Sequence, residues 1–224
     1  MTTSSLALGA MPSHGVRRPM AEKNAASSLD EAIIHAETSS LHLQTAHEAT
    51  RDSYVTLDGY QPAAVDISRD TPYRDVSPSG RALHQRTDAT TLPAQNASGK
   101  QYDALATLNF AIQALDQAIP ELSGGDRQEA LRARQQLQQQ DPLWHADVAL
   151  GTALATMNGG ALPYIEAAEA DAPGQDVSWM GAEIYGHLRD ALGQLSYAGS
   201  INGQSLSQVN DALTTLRALR SRQN

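Results

Sequence analysis

The sequence predicts an all-α protein, and three observations carry that reading. Apolar residues recur at spacings of three and four through the second half of the chain. Gly, Pro, Asn-Gly and Asp-Pro signals punctuate those runs at short intervals. No stretch alternates apolar and polar residues in the way a half-buried strand requires. The expected form is a helical bundle or array of about six helices in residues 101–224, preceded by a largely disordered N-terminal half.

Within the first half, residues 1–57 read as a disordered leader with room for a short helix between 20 and 56. Ser27 or Ser28 caps that helix, Asp30 and Glu31 occupy its first turn, and Ile33, Ile34, Leu41 and Leu43 form a thin apolar face. Residues 58–100 read as a flexible linker, interrupted by Pro62, Pro72, Pro78 and Pro93. The second half reads as the folded domain. Tyr102, Leu105, Leu108, Ile112, Leu115 and Ile119 make one apolar stripe, stopped by Pro120 and Gly124-Gly125. Asp126 and Glu129 have capping-box spacing for a helix to about Gln140. Asp141-Pro142 starts the next, with Trp144, Val148 and Leu154 on it and Asn158-Gly159-Gly160 as its stop. A short helix follows around Leu162–Asp171. A long one opens at Asp176 or Ser178 and carries Trp179, Ile184, Leu188, Leu192 and Leu195 as far as Gly199. The last carries Leu206, Val209, Leu213 and Leu216, with Arg217, Arg220 and Arg222 near its negative dipole end.

Composition narrows the function classes. Residues 1–100 hold 15 Leu, Ile, Val and Phe, against 26 in residues 101–224, so the first half has little apolar surface to offset chain entropy. The 224-residue chain has a formal net charge of −9, which disfavours a nucleic-acid backbone or an anionic membrane as partner. It has no cysteine, so disulfides and thiolate metal sites are excluded. No run approaches the length of a membrane span. Arginine outnumbers lysine, and no acidic residue occurs among residues 1–21, which are rich in Ser, Thr and small residues.

That leader resembles the N-termini of bacterial type III-secreted effectors as a class; an organellar transit peptide shares some of its features. The effector resemblance implies secretion by a Gram-negative bacterium, into a host cell, with a secretion chaperone engaging residues near 20–56 and a host protein bound by the helical domain. Trp179-Met180-Gly181-Ala182-Glu183 is similar to the W-x-x-x-E pattern of effectors that activate host small GTPases, where Trp and Glu hold helices together. Gly125–Leu131, Asp141-Pro142 and Leu150-Gly151 resemble parts of a tetratricopeptide repeat, which implies instead an adaptor or secretion-accessory chaperone in the bacterial cytoplasm.

Candidate chemistry is thin. His145 near Asp147, and His187 beside Tyr185, each offer a general base but come with no nucleophile or oxyanion donor. Glu166 and Glu169 are a carboxylate pair at helical spacing, and a solvated face explains them as well. Glu31, His35, His42 and His47 sit close in sequence on a segment with little core to hold a metal. No catalytic, cofactor or metal residue is assigned. The reading is a non-enzymatic interaction protein, with Trp144, Trp179, Tyr164 and Tyr185 as the aromatic anchors to look at first, together with Glu183.

Overall fold

A computed structural model describes residues 18–58, 77–139, 141–170 and 178–223, and they are helical almost throughout. Helix α1 spans Arg18–Asp58 and α2 spans Ser77–Ala118, followed by a 3-10 turn at Ile119–Glu121. Helix α3 (Gly124–Gln138) and α4 (Asp141–Ala155) come next. A π-helical segment, Thr156–Ala161, joins α4 directly to α5 (Leu162–Ala170), and α6 runs from Ser178 to Arg222.

The buried residues show why these segments assemble. In α1 the seam is Ala25, Leu29, Ala32, Ala36, Ser39, Leu43, Ala46, Thr50, Ser53 and Leu57, alternating steps of four and three, with Ala49 buried beside it. In α2 the same alternation runs from Thr87 and Thr90 through Ala94, Ala97, Gln101, Ala104, Leu108, Ala111 and Leu115 to Ala118, and Leu122 continues it past the 3-10 turn. In α6 it runs from Ile184 and Leu188 through Asn202 and Ser205 to Leu216 and Leu219. This is the heptad seam of a coiled coil, sustained over helices about 60 Å long. Alanine fills about half of the buried apolar positions, so the seams bring helix backbones close together.

Cross-helix bonds fix the topology. Ser39 bonds the Ala104 carbonyl and Ser53 the Thr90 carbonyl, so α1 and α2 are antiparallel. Ser40 meets Asn210 and Asp30 meets Arg220, so α1 and α6 are antiparallel too. Ser98 meets Asp147 and Arg134 meets Asp116, which sets α3 and α4 against α2. The result is an up-down-up-down four-helix bundle whose third rod is assembled from α3, α4, the π segment and α5.

Two apolar clusters occupy the two ends of the bundle, one around Leu29, Leu115, Leu137 and Leu216, the other around Leu57, Leu150, Met157 and Leu195. Between them lies a buried polar layer. Gln101 Nε2 donates to Asn202 Oδ1 at 2.6 Å, and Asn202 Nδ2 donates to Thr50 Oγ1 at 3.3 Å. Beside it, His47 Nδ1 lies 3.0 Å from the Gly199 carbonyl.

The all-α class stands, with four rods in place of about six helices. Residues 77–100 are the first part of α2, so the reading of 58–100 as a linker is corrected over that stretch, and α1 runs the length of the bundle where a short helix was expected. Pro93 lies inside α2 without ending it. Gly199 does not end a helix either, since α6 passes through it as one 45-residue element. The expected α2 stripe holds at Leu108, Ile112, Leu115 and Ile119, which are buried, and fails at its start: Tyr102 is 76% exposed, while Gln101 and Ala104 are fully buried. Asp126 and Glu129 do not form a capping box, because the helix begins at Gly124 and both carboxylates bond Arg222. The α3–α4 rod, with both helices packed on α6, differs from the helical hairpin of a tetratricopeptide repeat. Residues 1–17 and 59–76, which carry the leader and most of the remaining linker reading, lie outside the described residues.

Candidate functional site

A shallow surface groove lies where the π segment meets α6. Asn158-Gly159-Gly160 is a poor α-helical sequence, and the helix answers by widening for one turn rather than stopping. The buried seam shows the extra residue: Leu143, Ala146, Leu150, Ala153 and Met157 keep the three-four alternation, and the next buried position is Ala161 rather than Gly160. Gly160 thereby faces α6, and its missing side chain lets the imidazole of His187 settle against the backbone. A Cβ there would stand 2.6 Å from His187 Nδ1. The same ring stacks on Tyr164, with centroids 5.9 Å apart and planes 20° apart.

This arrangement leaves an open groove of about 570 Å³. Its floor is the outward face of α4 and the π segment, from Val148 through Gly151, Thr152, Ala155 and Thr156 to Gly159 and Gly160, and His187 forms its wall. The floor carries no charge, and its repeated small residues expose the helix backbone. Val148 is 48% exposed, and Trp144, one turn earlier on α4, is 62% exposed. A tryptophan so open to water, beside a groove and outside the core, is a surface feature of the kind that anchors interfaces.

The residues singled out from sequence fare differently. Trp144 is exposed one helical turn before Val148, where the groove's lining begins. Tyr164 is half-buried and buttresses His187; Tyr185 is half-buried on α6; Glu183 is exposed on α6. The side chain of Trp179 lies outside the described residues, as does that of Glu169, so neither the W-x-x-x-E contact nor the carboxylate pair with Glu166 is described. His145 and Asp147 are not a catalytic pair: His145 is exposed, whereas Asp147 accepts a 2.6 Å hydrogen bond from Ser98 Oγ across the α2–α4 seam. His187 turns to Tyr164, with Tyr185 two residues away on another side of the helix. The α1 histidines are divided between two seams. His35 meets the ring of Phe110, and His42 lies 4.0 Å from Asp103, both toward α2; His47 faces α6. Among the described residues no group of three or more His, Asp or Glu has the geometry of a metal site.

Val148, Gly160 and His187 were not singled out as an interaction surface. Read alone, Gly159-Gly160 is a stop signal and Val148 a core residue. Only the π widening turns the glycines into a groove floor.

Charge is unevenly distributed along the bundle. At the end far from the groove, Arg217 pairs with Glu37, Arg220 with Asp30, Arg222 with Asp126 and Glu129, and Arg134 with Asp116. Hydrogen bonding to Asp30 holds the Arg220 pKa above its ordinary value, and the bond to Glu129 does the same for Arg222. Near mid-bundle, the Lys100 ammonium 2.9 Å away holds the Asp103 carboxyl below the usual carboxylate range. No helix among the described residues is long and apolar enough to cross a membrane. In comparisons with known proteins, no family model, no curated protein and no solved structure matches the chain.

Proposed function

We propose that this chain is a non-enzymatic interaction protein of the secreted-effector type, which docks a host protein on the outward face of α4. One observation carries the docking part: Trp144, 62% exposed, shares an uncharged helix face with Val148 and the groove that ends at His187. An aromatic anchor beside a shallow apolar groove is how helix-in-groove recognition is commonly built. The export part is supported by composition, since residues 1–21 are acid-free and rich in Ser and Thr.

Two experiments test these parts separately. The full chain and its Trp144→Ala variant are used as bait in host-cell extract, with bound proteins identified by mass spectrometry. The expected result is a specific protein retained by the wild type and lost from the variant, with identical circular dichroism for both baits. Equal retention, or no specific protein, removes the docking reading. For export, a reporter fused behind residues 1–50 is expected in the medium of a strain with a working type III system and not in that of a secretion mutant. Failure of any such system to export it removes that part.

A further inference from the structure

We infer that the buried Gln101–Asn202 pair is the register lock of the bundle, and that it is what brings His187 to Gly160. The role is one of alignment along the helix axes, separate from any docking at the groove.

Helix α6 offers little else that distinguishes one alignment from the next. Its buried positions repeat at intervals of seven: Leu195, Val209 and Leu216 belong to one series, and Ala191, Ala198 and Ala212 to the other. Sliding α6 by one heptad, about 10 Å, therefore sets leucine or valine where leucine or valine was, and alanine where alanine was. The exposed ion pairs discriminate weakly. Asp30 and Glu37 are themselves seven residues apart on α1, so a slide of α6 toward its own N-terminus carries Arg220 from Asp30 to Glu37. The seven residues between Ala170 and Ser178 span up to about 23 Å when extended, enough chain to follow such a slide. Ser205 interrupts the alanine series, but its hydroxyl makes no hydrogen bond in the native alignment and so does not select it.

Asn202 is the exception in the first series. Gln101 Nε2 donates to its Oδ1 at 2.6 Å, and both residues are fully buried. Helices α2 and α6 run parallel, since each is antiparallel to α1. On α2 the seam positions seven residues from Gln101 are Ala94 and Leu108, whose side chains have nothing to offer an amide. A one-heptad slide in either direction puts Asn202 against one of them and Gln101 against Leu195 or Val209. Two buried amides are then unpaired at once, while the apolar positions gain nothing in exchange. Fixing the alignment of an otherwise uniform seam is the best-attested use of a buried polar pair. The consequence reaches the groove. In the native alignment His187 lies against Gly160, and a slide brings Met180 or Gln194 there instead.

The chain has no cysteine, so two nitroxide labels go cleanly on Leu92→Cys in α2 and Thr214→Cys in α6, both exposed positions. Their separation is read by pulsed electron resonance in the full chain, once with the native layer and once with Gln101→Met plus Asn202→Leu. The native layer is expected to give one distance. The paired variant is expected to keep a cooperative thermal transition and to show a second distance in at least about a tenth of the molecules, displaced as a slide of about 10 Å requires. A second set of His187 ring resonances, of matching population, accompanies it in an NMR spectrum. Leu195→Ala weakens the same helix without altering either amide and is expected to keep the single distance. One unchanged distance in the paired variant overturns the assignment, as do two distances with the native layer or in Leu195→Ala. Loss of the cooperative transition in the paired variant overturns it too, because the pair would then support the fold itself and not its alignment.

Discussion

Asn202→Ala is the substitution on which the polar layer stands or falls. Asn202 is fully buried at the centre of α6, accepts from Gln101 Nε2 and donates to Thr50 Oγ1. The Oε1 of Gln101 has no hydrogen-bond partner, so removing Asn202 leaves the whole Gln101 amide buried and unsatisfied. Thr50 loses less, since its hydroxyl still donates to the Ala46 carbonyl at 2.7 Å. An orphaned buried amide costs about 1–3 kcal/mol, and the small void left by Asn→Ala adds to it. The expected loss is about 2.5 kcal/mol, equivalent to a drop of about 5–10 °C in Tm for a chain of this length. Converting both partners at once is different. Gln101→Met with Asn202→Leu removes donor and acceptor together while roughly keeping shape, and stability is expected within about 1 kcal/mol of wild type or above it. Urea and thermal unfolding followed by circular dichroism at 222 nm give both numbers. The reasoning is refuted if Asn202→Ala costs less than about 0.5 kcal/mol, or if the paired variant loses as much as its two single substitutions summed.

Further expectations follow from other positions. Gly160→Ala places a methyl against the His187 ring and breaks its stack on Tyr164. The helix-propensity gain of about 1 kcal/mol is expected to be outweighed, so Tm falls and the His187 ring resonances shift in an NMR spectrum. Leu216→Ala, at a fully buried seam position, is expected to cost about 2–5 kcal/mol in urea unfolding, whereas Leu41→Ala, 62% exposed, leaves stability nearly unchanged. A fragment of residues 101–224 lacks α1 and half of α2, and is expected to show no cooperative thermal transition. A sharp transition in that fragment would restore the two-part organisation read from composition. Because the Asp103 carboxyl is depressed by Lys100, the small contribution of this exposed pair is present above the ordinary carboxylate range and is lost as pH falls through the folded-state pKa. Lys100→Met is expected to raise the Asp103 pKa toward its ordinary value in an NMR titration.

How much of this was legible in the sequence depends on which residues carry the seam. The all-α class follows from spacing, and the elements of residues 124–170 were located within a few residues because Gly, Pro and Asp-Pro mark them. The extent of α1 and α2 was hidden because their buried positions are largely Ala, Ser and Thr. A count of Leu, Ile, Val and Phe sees little core in Ala25, Ala32, Ala36, Ser39 and Ala46, although each is buried and in heptad phase. The same bias misplaced only the start of the α2 stripe, where Gln101 and not the larger, more apolar Tyr102 holds the seam position. Pro93 and Gly199 were read as breaks by local propensity, and packing against the neighbouring rods overrode both. For the site, Trp144 is the one among the described anchors whose exposure makes it available. His187 was considered as a base, yet its position against Gly160 comes from a π turn that no periodicity argument anticipates.

The three-four alternation also makes the length of this protein adjustable. In α1, α2 and α6 a seven-residue unit restores every side chain to the same azimuth, so removing one unit from each would shorten the bundle by about 10 Å and leave the remaining layers in phase. The third rod shares this property only in part: Leu143 to Met157 keep the alternation, and the extra residue of the π turn breaks it. Because this rod packs along both α2 and α6, a shorter bundle needs a matching unit from it. That unit is expected to come from the regular part of the rod and not from the π turn, so the groove floor is the stretch where a change of length does most harm.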